Sequence, residues 1–96
     1  MQLSKLNERL GFCLLKRRKE LGISKISLAK HLGVSPQFLG NIEKGRVAIP
    51  KHVLVGAVQK LKIRANLITQ IYIKCAGDYV KSLLKQSGTS QLVGRK

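Results

Sequence analysis

The stretch SKISLAKHLGVSPQFLGNIEKG, running from Ser24 to Gly45, carries the punctuation that decides the fold. Ser24 suits the cap of a short helix reaching about Leu32, with Leu28, Ala29 and Leu32 turned inward. Gly33 breaks that helix, and Val34 follows as an apolar plug. Ser35 then caps a third helix whose first position is Pro36, where the missing N–H costs nothing. The proline also drives Ser35 away from helical angles, so the boundary is marked twice. This third helix runs to about Lys44, where Gly45 ends it. A helix of that length spans about 13 Å.

Working outward, Leu6, Leu10, Cys13, Leu14 and Leu21 recur at three- and four-residue steps and predict a first helix from about Ser4 to Leu21. Ser4 is placed to cap its start, Arg17, Arg18 and Lys19 complement the dipole of its last turn, and Gly22 is placed to end it. After Ile49 and Pro50, the spacing of Val53, Leu54, Ala57, Val58 and Leu61 predicts a fourth helix from about Lys51 to Leu61, without a polar cap. A fifth, from about Asn66 to Lys85, carries Leu67, Ile68, Ile71, Tyr72, Ile73, Cys75, Ala76, Tyr79, Val80, Leu83 and Leu84. That exceeds one apolar stripe. Part should cover the core, and the rest should meet a second copy of the chain through Ile71, Tyr72, Cys75, Tyr79 and Leu83, since monomers seldom expose large apolar patches. The expected fold class is therefore all-α, five helices with a long C-terminal one. The expected division is a core over residues 1–63, an associating helix over 64–86 and a basic, flexible tail over 87–96.

Nineteen Lys and Arg face four acids, Glu8, Glu20, Glu43 and Asp78, for a formal net charge of +15. Such an excess calls for an anionic partner. Nucleic acid fits best, because neutralised phosphates release their condensed counterions. A spanning segment is not expected, since the apolar run from Leu67 to Leu84 is broken by Lys74, Asp78 and Lys81. Residues Met1 to Lys5 lack the apolar stretch of a secretory signal, so a cytoplasmic, nucleoid-associated protein is expected and no membrane partner. Cys13 and Cys75 sit in apolar helical patterns outside any paired motif, and read as buried thiols, although a disulfide between them is conceivable. His31 and His52 lie far from both and read as surface or boundary residues, so no metal and no cofactor is expected. Four acids, two scattered histidines and no phosphate-binding glycine loop leave no catalytic arrangement to assign, and no enzyme is expected.

Turning the third helix by 100° per residue brings Leu39 and Ile42 to one side, with Phe38 and Glu43 on its flanks. Gln37, Gly40, Asn41 and Lys44 face the other way. Glutamine and asparagine there can pair with adenine N6 and N7, and Pro36 at the tip can touch a thymine methyl. Helix chemistry alone fits a merely solvated face equally well.

The ordered set Leu28-Ala29, Leu32-Gly33-Val34-Ser35, Leu39 and Ile42-Glu43-Lys44-Gly45 adds what that chemistry lacks. It resembles the phage Cro and lambda-repressor-like (XRE-like) helix-turn-helix family, and the resemblance extends over about Leu6 to Ile63. It implies double-stranded DNA as partner and a recognition role for the third helix. Residues matching the family's base readers are Pro36, Gln37 and Asn41, with Gly40 beside them. Those matching its phosphate contacts are Lys25, Phe38 through its backbone, Lys44 and Arg46, to which the cap residues Ser24 and Ser35 are added. Arg18 matches the arginine that pairs with the glutamate at Glu43. Two positions depart from the family. Gly40 stands where a contacting side chain is common, and Lys25 where glutamine is common.

The resemblance implies a sequence-specific transcriptional regulator, a homodimeric repressor on an inverted repeat. Two other readings stay open: the antitoxin of a toxin-antitoxin pair, with a toxin as further partner, and a low-specificity nucleoid or RNA-binding protein.

Overall fold

In the computed structural model, which describes residues 3–87, the chain forms five helices: α1 (Leu3–Glu20), α2 (Lys25–Leu32), α3 (Pro36–Glu43), α4 (Lys51–Lys60) and α5 (Ala65–Ser87). No strand occurs among the described residues. The all-α class and the order of elements match the expectation. Of the basic tail expected over 87–96, everything from residue 88 on lies outside the described residues.

Local chemistry accounts for most boundaries. Ser24 Oγ accepts the amide of Ser27, and Ser35 Oγ accepts the amide of Phe38. Gly33 takes φ 73°, a left-handed conformation that lets its own amide and that of Val34 return to the carbonyls of Lys30 and Ala29. Two end positions differ from the expectation. Ser4 lies inside α1 and does not cap it, because the helix is already formed at Leu3. The third helix closes at Glu43 with Lys44 as its C-cap, one residue early. Between α4 and α5 the left-handed residue is Lys62, at φ 55°, where a glycine would be unstrained. That residue type carries no signal of a turn.

The core is aliphatic. Leu14 of α1, Leu28, Ala29 and Leu32 of α2, Leu39 and Ile42 of α3, and Val53, Ala57, Leu61 and Ile63 around α4 form one buried cluster. A smaller one joins Leu6 and Leu10 of α1 to Cys75 of α5. α1 thus packs on both α3 and α5. Arg9 reinforces the second contact, with Nη1 donating to Cys75 Sγ at 3.4 Å and Nη2 to Asp78 Oδ2 at 3.3 Å. Arg17 Nε donates to the Leu61 carbonyl at 2.9 Å, tying α1 to the end of α4. Leu21, expected on the buried stripe of the first helix, is exposed, because α1 has ended before it.

Both cysteines are free thiols, Cys75 buried and Cys13 half-buried. Cys75 is therefore a correction: placed above at a surface for a second copy, it points into its own chain against Leu6 and Leu10, and Ile71 packs beside it. α5 has 23 residues, so at the usual helical rise it extends about 34 Å, against a body 20 to 23 Å across. Its C-terminal turns reach past what α1 can cover.

Candidate nucleic-acid interface

α3 is held from behind. Leu39 and Ile42 are wholly buried, and Glu43 is buried on the flank of the same side. Glu43 receives a fork from α1: Arg18 Nε donates to Oε2 at 2.7 Å and Nη2 to Oε1 at 3.2 Å. The third guanidinium nitrogen, Nη1, donates to the carbonyl of Ile23 at 2.9 Å, so the same arginine also pins the turn into α2. Every polar atom of this buried pair is partnered, as a buried charge pair requires.

Two glycines allow the approach. A Cβ on Gly11 of α1 would overlap the carbonyl oxygen of Ile42 and lie 2.9 Å from that of Glu43, so only glycine lets α1 cross α3 this closely. Gly45, just past α3, would meet Glu8 Cα at 2.6 Å in the same way. Neither contact follows from sequence spacing. Gly11 lies on the buried side of α1 together with Arg18, and a glycine inside an apolar stripe was the available signal.

The other side of α3 is open. Pro36 and Gln37 are exposed and Asn41 half-exposed, with Lys44 and Arg46 exposed beyond the helix end. These five residues, expected above as base readers and phosphate contacts, all lie on α3 or just past its end and leave surface uncovered. Gly40 is not open: it is buried, and a Cβ there would lie 3.3 Å from Lys25 Nζ. Lys25, from the first turn of α2, therefore reaches across onto α3.

The caps change the expected phosphate set at one place. Phe38 was assigned a phosphate through its backbone, but its amide is already donated to Ser35 Oγ at 3.0 Å. Its ring is half-buried against the core. The hydroxyls of Ser24 and Ser35, each accepting one amide, keep a proton to donate outward. Ser24 and Ser35 are both exposed, at the N-terminal ends of α2 and α3, where the helix dipole favours an anion.

The sequence profile described as helix-turn-helix matches residues 14–67, more than half of the chain. Two solved structures of the clp gene regulator ClgR from Corynebacterium glutamicum are similar to it. One is 24% identical, with a TM-score of 0.62, covering 85% of this chain and 93% of that one. The other is 29% identical, with a TM-score of 0.60, covering 76% of this chain and 91% of that one. Among curated proteins nothing matches.

Proposed function

The chain belongs to the lambda-repressor-like (XRE) helix-turn-helix family, and from that premise we propose that it is a homodimeric repressor reading an inverted repeat in double-stranded DNA through α3. DNA-binding transcriptional regulation is what the family and the ClgR likeness support directly; dimer, repeat and repression are our own reading. The observation that carries it is the two-sidedness of α3. Its back is buried and clamped by Arg18, while Gln37 in its first turn and Asn41 one turn later stand on the outward side, where they can meet adenine edges. Lys44, Arg46 and the cap residues Ser24 and Ser35 supply phosphate contacts on either side. Residues 1–63 act as the DNA-binding core and 64–86 as the associating helix. Its place of action is the cytoplasm, on the nucleoid.

A second copy of the chain is supported by the outward face of α5. Tyr72, Ile73, Val80 and Leu83 are 38%, 58%, 50% and 44% exposed. Ile73, Ala76, Val80 and Leu83 follow at steps of three, four and three, the spacing of a two-helix coiled-coil seam. Tyr72 and Tyr79 flank it on one side. Lys74, Asp78, Lys81 and Lys85 all lie across the helix from this seam. On a chain of formal net charge +15, an uncharged face is where a second copy approaches with least repulsion. Twofold symmetry would then set two α3 helices about 34 Å apart, one turn of DNA.

The test is selection of binding sites from random duplex DNA at near-physiological salt. A palindromic consensus is expected. Equal recovery of unrelated sequences would leave only non-specific binding and remove the reading.

A further inference from the structure

Among Pro36, Gln37, Gly40 and Asn41 on the outward half of α3, Gly40 alone is buried. What covers it is a cation from another helix. A Cβ built on Gly40 would stand 3.3 Å from Lys25 Nζ and 4.0 Å from its Cε. The ammonium thus lies directly beside the place where a side chain from position 40 would begin, with Gln37 one turn before it and Lys44 one turn after on the same helix. Among the described residues it has no ion-pair or hydrogen-bond partner. A donor held against the reading helix without a partner in the chain is free to bind a group outside it.

We propose that Lys25 and Gly40 form one composite reading element, in which glycine clears the position and the lysine ammonium fills it to recognise guanine. This rests on the reading that α3 enters the major groove. An ammonium has three donors and no acceptor. Of the base edges in that groove, guanine presents two adjacent acceptors, O6 and N7, whereas adenine and cytosine each present an amino donor that faces a cation unfavourably. Lying on α3 instead of extending away from it, Lys25 enters with that helix towards the base edges on the groove floor, not towards the sugar-phosphate ridge. Its role as a phosphate contact, implied by the family resemblance, is replaced by that of a specificity residue. Together with Gln37 and Asn41 it predicts half-sites that combine adenine with a guanine.

The test compares site selection and salt-dependent binding for the full chain and three variants: Lys25→Gln, Lys25→Arg and Gly40→Ala. The wild-type consensus is expected to hold one guanine per half-site. Lys25→Gln should lose that preference by about ten-fold or more while other positions keep theirs. Lys25→Arg retains a donor pair for O6 and N7 and should keep the guanine. Gly40→Ala, which adds only a methyl 3.3 Å from the ammonium and so presses it off its place, should blunt the same position with Lys25 still present. A consensus that survives Lys25→Gln intact, with all duplexes weakened alike and the salt slope reduced by about one, would mark a phosphate contact and overturn the proposal. A wild-type chain that selects no consensus would instead defeat groove reading by α3, and this inference with it.

Discussion

Arg18 and Glu43, 25 positions apart, meet as a two-point fork with side chains only 9% and 3% exposed, and this pair clamps α3 to α1 beside their apolar contact. Because the pair is buried and fully hydrogen-bonded, removing one partner strands a charge. Glu43→Ala or Arg18→Met should each cost about 3 to 5 kcal/mol of stability. That is a large part of what such a domain has. The double variant Arg18→Met/Glu43→Leu should recover most of it, since the cost lies in the unpaired charge. Urea unfolding of the three chains checks this; single variants within about 1 kcal/mol of the parent would show that the fork does not hold α3.

Gln37→Ala and Asn41→Ala should each lower binding to the selected duplex by about 1 to 3 kcal/mol. Neither side chain supports the core, so folding and binding to random DNA should change little. Parallel titrations of selected and scrambled duplexes separate the two effects. Unaltered preference in both variants would move the reading face away from this side of α3.

Lys44→Ala and Arg46→Ala should weaken every duplex by a similar factor and reduce the slope of log affinity against log salt by about one each. The measurement is the same titration at several salt concentrations. A slope that stays put would mean that these exposed cations do not meet phosphate.

Two glycine substitutions should go in opposite directions. Gly11→Ala drives a methyl into the carbonyls of Ile42 and Glu43 and should destabilise by about 1 to 3 kcal/mol, as overpacking does. Gly77→Ala, inside α5 with nothing within 4 Å of the new atom, should stabilise by about 0.5 to 1 kcal/mol. Melting curves recorded side by side decide it, and a harmless Gly11→Ala would contradict the close crossing of α1 and α3.

Val80→Asp and Leu83→Asp place a charge at exposed positions of the α5 seam, outside both buried clusters, so the fold should persist while self-association is lost. Sedimentation equilibrium should return the mass of one chain for each variant, and affinity for a palindromic duplex should fall towards that for a half-site. Variants that remain dimeric would put the interface elsewhere.

Most of the fold could be read from residue types because its boundaries are local events. A serine cap, a proline at a first helical position and a left-handed glycine act within four residues of themselves, so Ser24, Gly33, Ser35 with Pro36, and Gly45 could be placed from spacing alone. Gln37 and Asn41 were found on the outward side because helical periodicity says which residues share a face, and Leu39 and Ile42 say which face is inner. The same rule fails on α5, where apolar residues surround the axis and two stripes compete. There Cys75 turned inward and Ile73 outward, a choice made by Leu6, Leu10 and Arg9 of α1, some 65 positions away in the chain. The crossing at Gly11, the left-handed Lys62 and the reach of Lys25 over Gly40 are of the same kind. Each exists only once two distant segments are pressed together, and the geometry of that contact is set by packing, which no periodicity within a segment encodes.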